Sequence, residues 1–134
     1  MDNFNHKALG LKDEMPLVYT ATSKHYFYFR MFISRFVLEK NAVPLNPFMI
    51  FDYFLLDTLD RDKVRAANNN LVRRADEIWV FGPVSDGILA EILLAKEAGK
   101  PIKYFKIINS REIAEINKAE AEMETDVKEY KNKL

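Results

Sequence analysis

The stretch VFGPVSDGILAEILLAKEAGKPIKYF, Val80 to Phe105, decides the fold. Val80 and Phe81 end a continuous apolar run begun at Ile78, the pattern of a strand covered on both faces. Gly82, Pro83, Ser85, Asp86 and Gly87 make a tight loop. Ile88, Leu89, Ile92, Leu93 and Ala95 then recur at helical spacing over Asp86 to Ala98. Gly99 stops that helix, and Pro101 opens another strand, PIKYFKI. The loop also brackets a Ser-Asp pair with glycines, and its helix carries one early acid, Glu91. A capped crossover explains Ser85 and Asp86, since either side chain suits a helix N-terminus. A ligand pocket explains them equally, with Glu91 facing it.

Outward from this unit the same alternation continues. Met15 to Ala21 reads as a strand, and Ser23 can cap a helix running to Asn41. That helix carries Phe27, Met31, Phe32, Ile33, Phe36 and Val37 on a wide apolar face. Such a face is either buried in the core or shared with another subunit. Val43 to Leu45 is a short strand, and a short helix is expected around 48–57. Asp60 caps a further helix with Val64, Ala67, Leu71, Val72 and Ala75 on its inner side. Asn109 and Glu112 have capping-box spacing, which predicts a closing helix over 109–134. Residues 1–15 are polar and mixed, either loose or a short flanking helix. The order predicts one α/β domain over 1–134: a mostly parallel sheet of four to five strands, helices on both faces, Rossmann-like. Ligands in such folds bind beyond the carboxyl ends of the strands. Thr20 to Lys24, Asn46, Ser85 and Asp86 lie there.

Composition narrows the function. Lys plus Arg and Asp plus Glu are 20 each, so there is no electrostatic case for a nucleic-acid polymer or an acidic membrane. There is no cysteine, and the two histidines, His6 and His25, are too few for an ordinary zinc site. No apolar window approaches ~20 residues, so a cytoplasmic protein is expected.

The proline-flanked Asn46, the FMIFDYF stretch holding Asp52, and DEIWVFGPVSDGILAEILLAKEAGKPIKYF form a pattern over Pro44 to Phe105. The chain resembles the nucleoside 2-deoxyribosyltransferase-like superfamily, closest to an uncharacterised bacterial and phage branch. The resemblance implies a nucleoside- or nucleotide-binding protein, as an N-glycosidase or a deoxyribosyltransferase. The reaction would be at C1′ of a deoxynucleoside or its 5′-monophosphate, with no cofactor and no metal. It makes Glu91 the group that attacks or stabilises the anomeric carbon, with Ser85 and Gly87 in the preceding loop. In the glycosidase branch the serine meets a 5′-phosphate; in the transferase branch an Asp stands there. A second carboxylate is normally found seven residues before the Ala of an Ala-Asp pair, and counting back from Ala75 gives Asn68. An amide cannot transfer a proton as a carboxyl group does. The arginine- and glycine-rich loop that follows the first strand in the glycosidases is replaced by TATSKHYFYFR. Tyr19 sits near a family aromatic. Members assemble as dimers or larger homo-oligomers.

The remaining candidates carry two readings each. Asn46 can pair with a base or sugar hydroxyl, or serve only as a turn residue. Asp52 lines a pocket or breaks an amphipathic helix. Gly82 lets the backbone approach a ligand, or simply makes a turn. Asp86 repels an anion unless it points away or accepts from a sugar hydroxyl. The rival to an enzyme is a non-catalytic nucleotide-sensing or binding module, favoured by Asn68, or a homo-oligomeric interaction protein built on the aromatic segment.

Overall fold

The computed structural model describes residues 3–51, 55–109 and 111–134. Among them the strands are β1 (Leu17–Thr22), β2 (Val43–Leu45), β3 (Glu77–Phe81), β4 (Ile102–Asn109) and β5 (Glu112–Ile116). They form one sheet in the order β2-β1-β3-β4-β5. β1 to β4 are parallel neighbours, and β5 runs antiparallel to β4. The helices are α1 (Arg30–Glu39), α2 (Pro47–Ile50), α3 (Arg61–Arg74) and α4 (Asp86–Glu97). This is a Rossmann-like α/β arrangement. The connections leave β1 and β3 in opposite directions along the sheet, so a crevice opens between their carboxyl ends.

Alternation along the strands divides the core into two. Tyr19, Ala21, Ile78, Val80 and Tyr104 pack with Val72 of α3 and Ile88, Ile92 and Ala95 of α4. Val18, Trp79, Phe81 and Phe105 face the other way, onto Ile33 and Val37 of α1. The period of two sends successive strand residues to opposite faces, and each face is covered by helix. Asp76 fixes where β3 enters the sheet: its Oδ2 accepts from Leu17 N at 2.7 Å, and its own N–H donates to Leu17 O at 2.7 Å.

Two predicted helices differ in the structure. The segment expected as one helix from Ser23 to Asn41 is a 3₁₀ stretch, Lys24–Phe29, followed by α1. Tyr26 breaks helical geometry at φ −117°, ψ 16°. The tighter 3₁₀ coil brings residues i and i+3 above one another, and Tyr26 stacks on Phe29 with ring centroids 6.0 Å apart. Ser23 does cap the segment, its Oγ accepting from His25 N.

The predicted closing helix over 109–134 is absent. Asn109 ends β4, its Oδ1 accepting from Arg111 N at 2.9 Å, and β5 returns along the sheet edge. Ile113 and Ile116, three residues apart, share a helix face but lie on opposite faces of a strand. Ile113 packs with the α1-side core, and Ile116 with the other. Pairing with the open edge of β4 thereby serves both cores at once. The chain then continues in 3₁₀ turns, Lys118–Glu120 and Thr125–Lys133. The helix expected around 48–57 is α2 plus a 3₁₀ turn at Leu55–Asp57, with 52–54 outside the described residues. The flanking N-terminus holds a 3₁₀ turn, Lys7–Gly10. No helix of the described residues is long and apolar enough to cross a membrane.

Candidate functional site

A cleft of about 670 Å³ lies over the carboxyl ends of β1 and β3. Three chain segments position its chemistry. β1 supplies Tyr19, Thr20 and Thr22, and Ser23 follows. α3 supplies Arg61, Arg65, Asn68 and Asn69. The start of α4 supplies Ser85, Asp86, Gly87 and Glu91.

α4 begins at this place because its first turn is capped by its own sequence. Ser85 Oγ accepts from Ile88 N at 3.3 Å, and Asp86 Oδ1 accepts from Gly87 N at 2.7 Å. Ile88, Leu89, Ile92 and Ala95 then seat the helix on the sheet. Glu91 falls on the wall facing β1. There the Tyr19 hydroxyl donates to Glu91 Oε2, joining residues 72 apart in sequence. Tyr19 is almost fully buried, at 1% exposure. Burial pushes the Glu91 carboxyl up to about 7, and the Tyr19 hydrogen bond opposes that rise. The Tyr19 phenol is held well above its ordinary value, first by burial and then by the neighbouring Glu91 charge. Tyr19 is thus a fixed donor. Glu91 changes charge near neutral pH, the range useful to a nucleophile or an acid-base group.

Other lining groups have hydrogen-bonding capacity to spare. Thr20 Oγ1, Thr22 Oγ1 and Asn68 Oδ1 are buried and have no hydrogen-bond partner among the described residues. Buried polar atoms are normally paired, so three orphans in the lining of one cleft fit a polar ligand. Among the described residues, no three His, Cys, Asp or Glu side chains converge to hold a metal ion.

The structure gathers Tyr19, Asn68, Ser85, Asp86, Gly87 and Glu91 around this one cleft. Two sequence candidates lie elsewhere. Asn46 is buried and its amide is already used: Oδ1 accepts from Phe48 N, while Nδ2 donates to Arg30 O and Ser34 Oγ. It fastens α2 to α1 and does not line the cleft. Gly82, at φ +77°, takes the left-handed turn that ends β3 and lines a separate small groove with Tyr26 and Pro83. Asp52 lies outside the described residues.

Sequence reasoning missed Glu124 and Asp126, which also line the cleft. They come from a C-terminal strap. Val84 N donates to Glu122 O and Glu124 N to Val84 O, both at 2.8 Å, so the strap pairs with the β3–α4 loop. Ser23 Oγ then donates to Glu124 Oε2 at 2.8 Å, tying it to the end of β1. No local pattern announces this, because the partners are distant in sequence, Ser23 and Glu124 being 101 residues apart. Thr20 and Thr22 carried a weak signal as hydroxyls alternating along an otherwise apolar strand end.

No curated protein shows significant similarity to the chain. Residues 18–105, from β1 into β4 and including both Tyr19 and Glu91, match a family described as a domain of unknown function, DUF7768. The match spans most of the parallel sheet and stops before β5 and the strap, and on it the chain belongs to the DUF7768 family.

Proposed function

We propose that the protein binds a nucleoside or nucleotide in this cleft and acts at C1′ of a deoxynucleoside or its 5′-monophosphate, as an N-glycosidase or deoxyribosyltransferase. The reading rests on the likeness to the nucleoside 2-deoxyribosyltransferase-like superfamily. The observation that carries it is the Tyr19–Glu91 pair, a carboxylate held by a buried phenol in a cleft above parallel strand ends.

In this mechanism the ionised Glu91 attacks C1′. The bond from C1′ to the base nitrogen breaks, its electron pair leaves with the base, and an ester forms between Glu91 and the sugar. Water or a second base then displaces the carboxylate. The departing base takes its proton from solvent or from a group on the ligand, since Asn68 can only hydrogen-bond. Tyr19 orients the carboxylate and favours its charged form. Because Glu91 must be ionised, turnover rises as pH passes upward through about 7.

Asn68 supports a second reading, a binding module that keeps the pocket and lacks the helper carboxylate. Incubation with a panel of deoxynucleosides and their monophosphates separates the two. Free base, abolished in Glu91→Gln, supports the enzyme. Thermal stabilisation without base supports the module. Neither effect removes both. We also propose a homodimer through the aromatic segment, on which Tyr28, Met31 and Leu38 are exposed. A lone monomer in sedimentation at low micromolar concentration removes it.

A further inference from the structure

The charge and hydrogen bonding at one end of the cleft bear on which ligand enters it. A helix start ordinarily offers free amides to an anion. At α4 two of these amides, those of Gly87 and Ile88, are already taken, and the helical ladder begins at Leu89. Gly87 N donates to Asp86 Oδ1, Ile88 N to Ser85 Oγ and Leu89 N to Ser85 O. One of the two side chains taking them, Asp86, is itself a carboxylate. The strap, which lies outside the family match, adds Glu124 and Asp126 to the same lining. Glu124 is fixed there by Ser23 through one oxygen. The cationic lining residues come from other segments: Lys24 after β1, Arg61 and Arg65 on α3, with Arg65 engaged by Asp62 at 3.0 Å. The buried Thr20 hydroxyl of the lining, without a partner among the described residues, points independently to a polar ligand in this cleft.

We infer that this end of the cleft, built by Ser85, Asp86, Glu124 and Asp126, accepts a neutral hydroxyl and rejects a phosphate. The ligand is a free deoxynucleoside, not its 5′-monophosphate. The second oxygens of Asp86 and Glu124 accept from a sugar hydroxyl, where a phosphate offers only negative charge and no donor. The specificity-determining groups are therefore Asp86 and the two strap carboxylates. This inference rests on the proposed nucleoside reading and narrows its substrate.

The test is equilibrium binding and base release for matched pairs of deoxynucleosides and 5′-monophosphates, at low and high salt. The full chain is compared with Asp126→Asn and with Asp86→Asn combined with Asp126→Asn. Carboxylate repulsion predicts a preference for the free nucleoside of about tenfold or more at low salt. The preference narrows at high salt. It narrows severalfold in the double variant, and in part in Asp126→Asn, whose exposed side chain makes no hydrogen bond among the described residues. Equal or better handling of monophosphates overturns this inference and leaves the nucleoside reading standing. A preference unchanged by salt and by both variants also overturns it. Failure to bind or cleave either member of any pair overturns both.

Discussion

The proposed chemistry of this chain concentrates in one carboxyl group, buried in the cleft wall and hydrogen-bonded by a single phenol. Glu91 titrates near 7 because burial disfavours its charge, and Tyr19 returns part of that cost by donating a hydrogen bond. Replacing Tyr19 with Phe removes the hydrogen bond that opposes the effect of burial, so the Glu91 value rises further. The pH–rate profile for base release is then displaced to higher pH, and an unmoved profile counts against the pair. Glu91 also makes stability depend on pH. Its folded value lies above its ordinary 4.5, so the folded state holds its proton longer than the unfolded chain. Stability from this group is present below 4.5 and is lost as pH rises through about 7. Glu91→Gln escapes the loss. Urea titrations at pH 5 and pH 8 should show the variant gaining on the wild type, by at most about 3 kcal/mol. Glu91 was readable in the sequence from its spacing to Ser85 and Gly87. Its phenol partner had only a loose alignment behind it, because contact between β1 and α4 is a product of the fold. Asn46 illustrates the converse: a polar residue beyond a strand end whose amide is consumed by helix packing.

Among the elements, α4 and the strap position the site. α4 is held by its buried face, and Ile92 is completely enclosed. Ile92→Ala should cost about 2–5 kcal/mol in denaturant unfolding. The helix was legible from end to end, since Ser85, the apolar spacing and Gly99 are local signals that agree. The segment after β4 was not. Asn109 and Glu112 imitate a helix start, yet the open edge of β4 recruits them into a hairpin, and long-range pairing overrides local spacing. The aromatic segment shows the same limit, since its run of rings favours a 3₁₀ turn that a helical count does not foresee. The strap is fastened to β1 by one side-chain bond, Ser23 to Glu124. Ser23→Ala should lower stability by about 1 kcal/mol and weaken ligand binding with it. Unchanged binding in that variant separates the strap from the site.

For the whole molecule, sheet order makes the site possible. The chain leaves β1 and β3 in opposite directions, and the crevice between their ends collects residues from β1, α3, α4 and the strap. The βαβ alternation was legible because each element carried its own punctuation. The strap was not, since nothing local to 121–127 specifies pairing with Val84. The most direct test of the central claim is an NMR titration of the Glu91 side-chain carboxyl, alone and with a deoxynucleoside. The structure predicts a midpoint near 7 in the free protein and a clear displacement when the nucleoside is added. A midpoint at the ordinary 4.5, unmoved by any nucleoside, contradicts it.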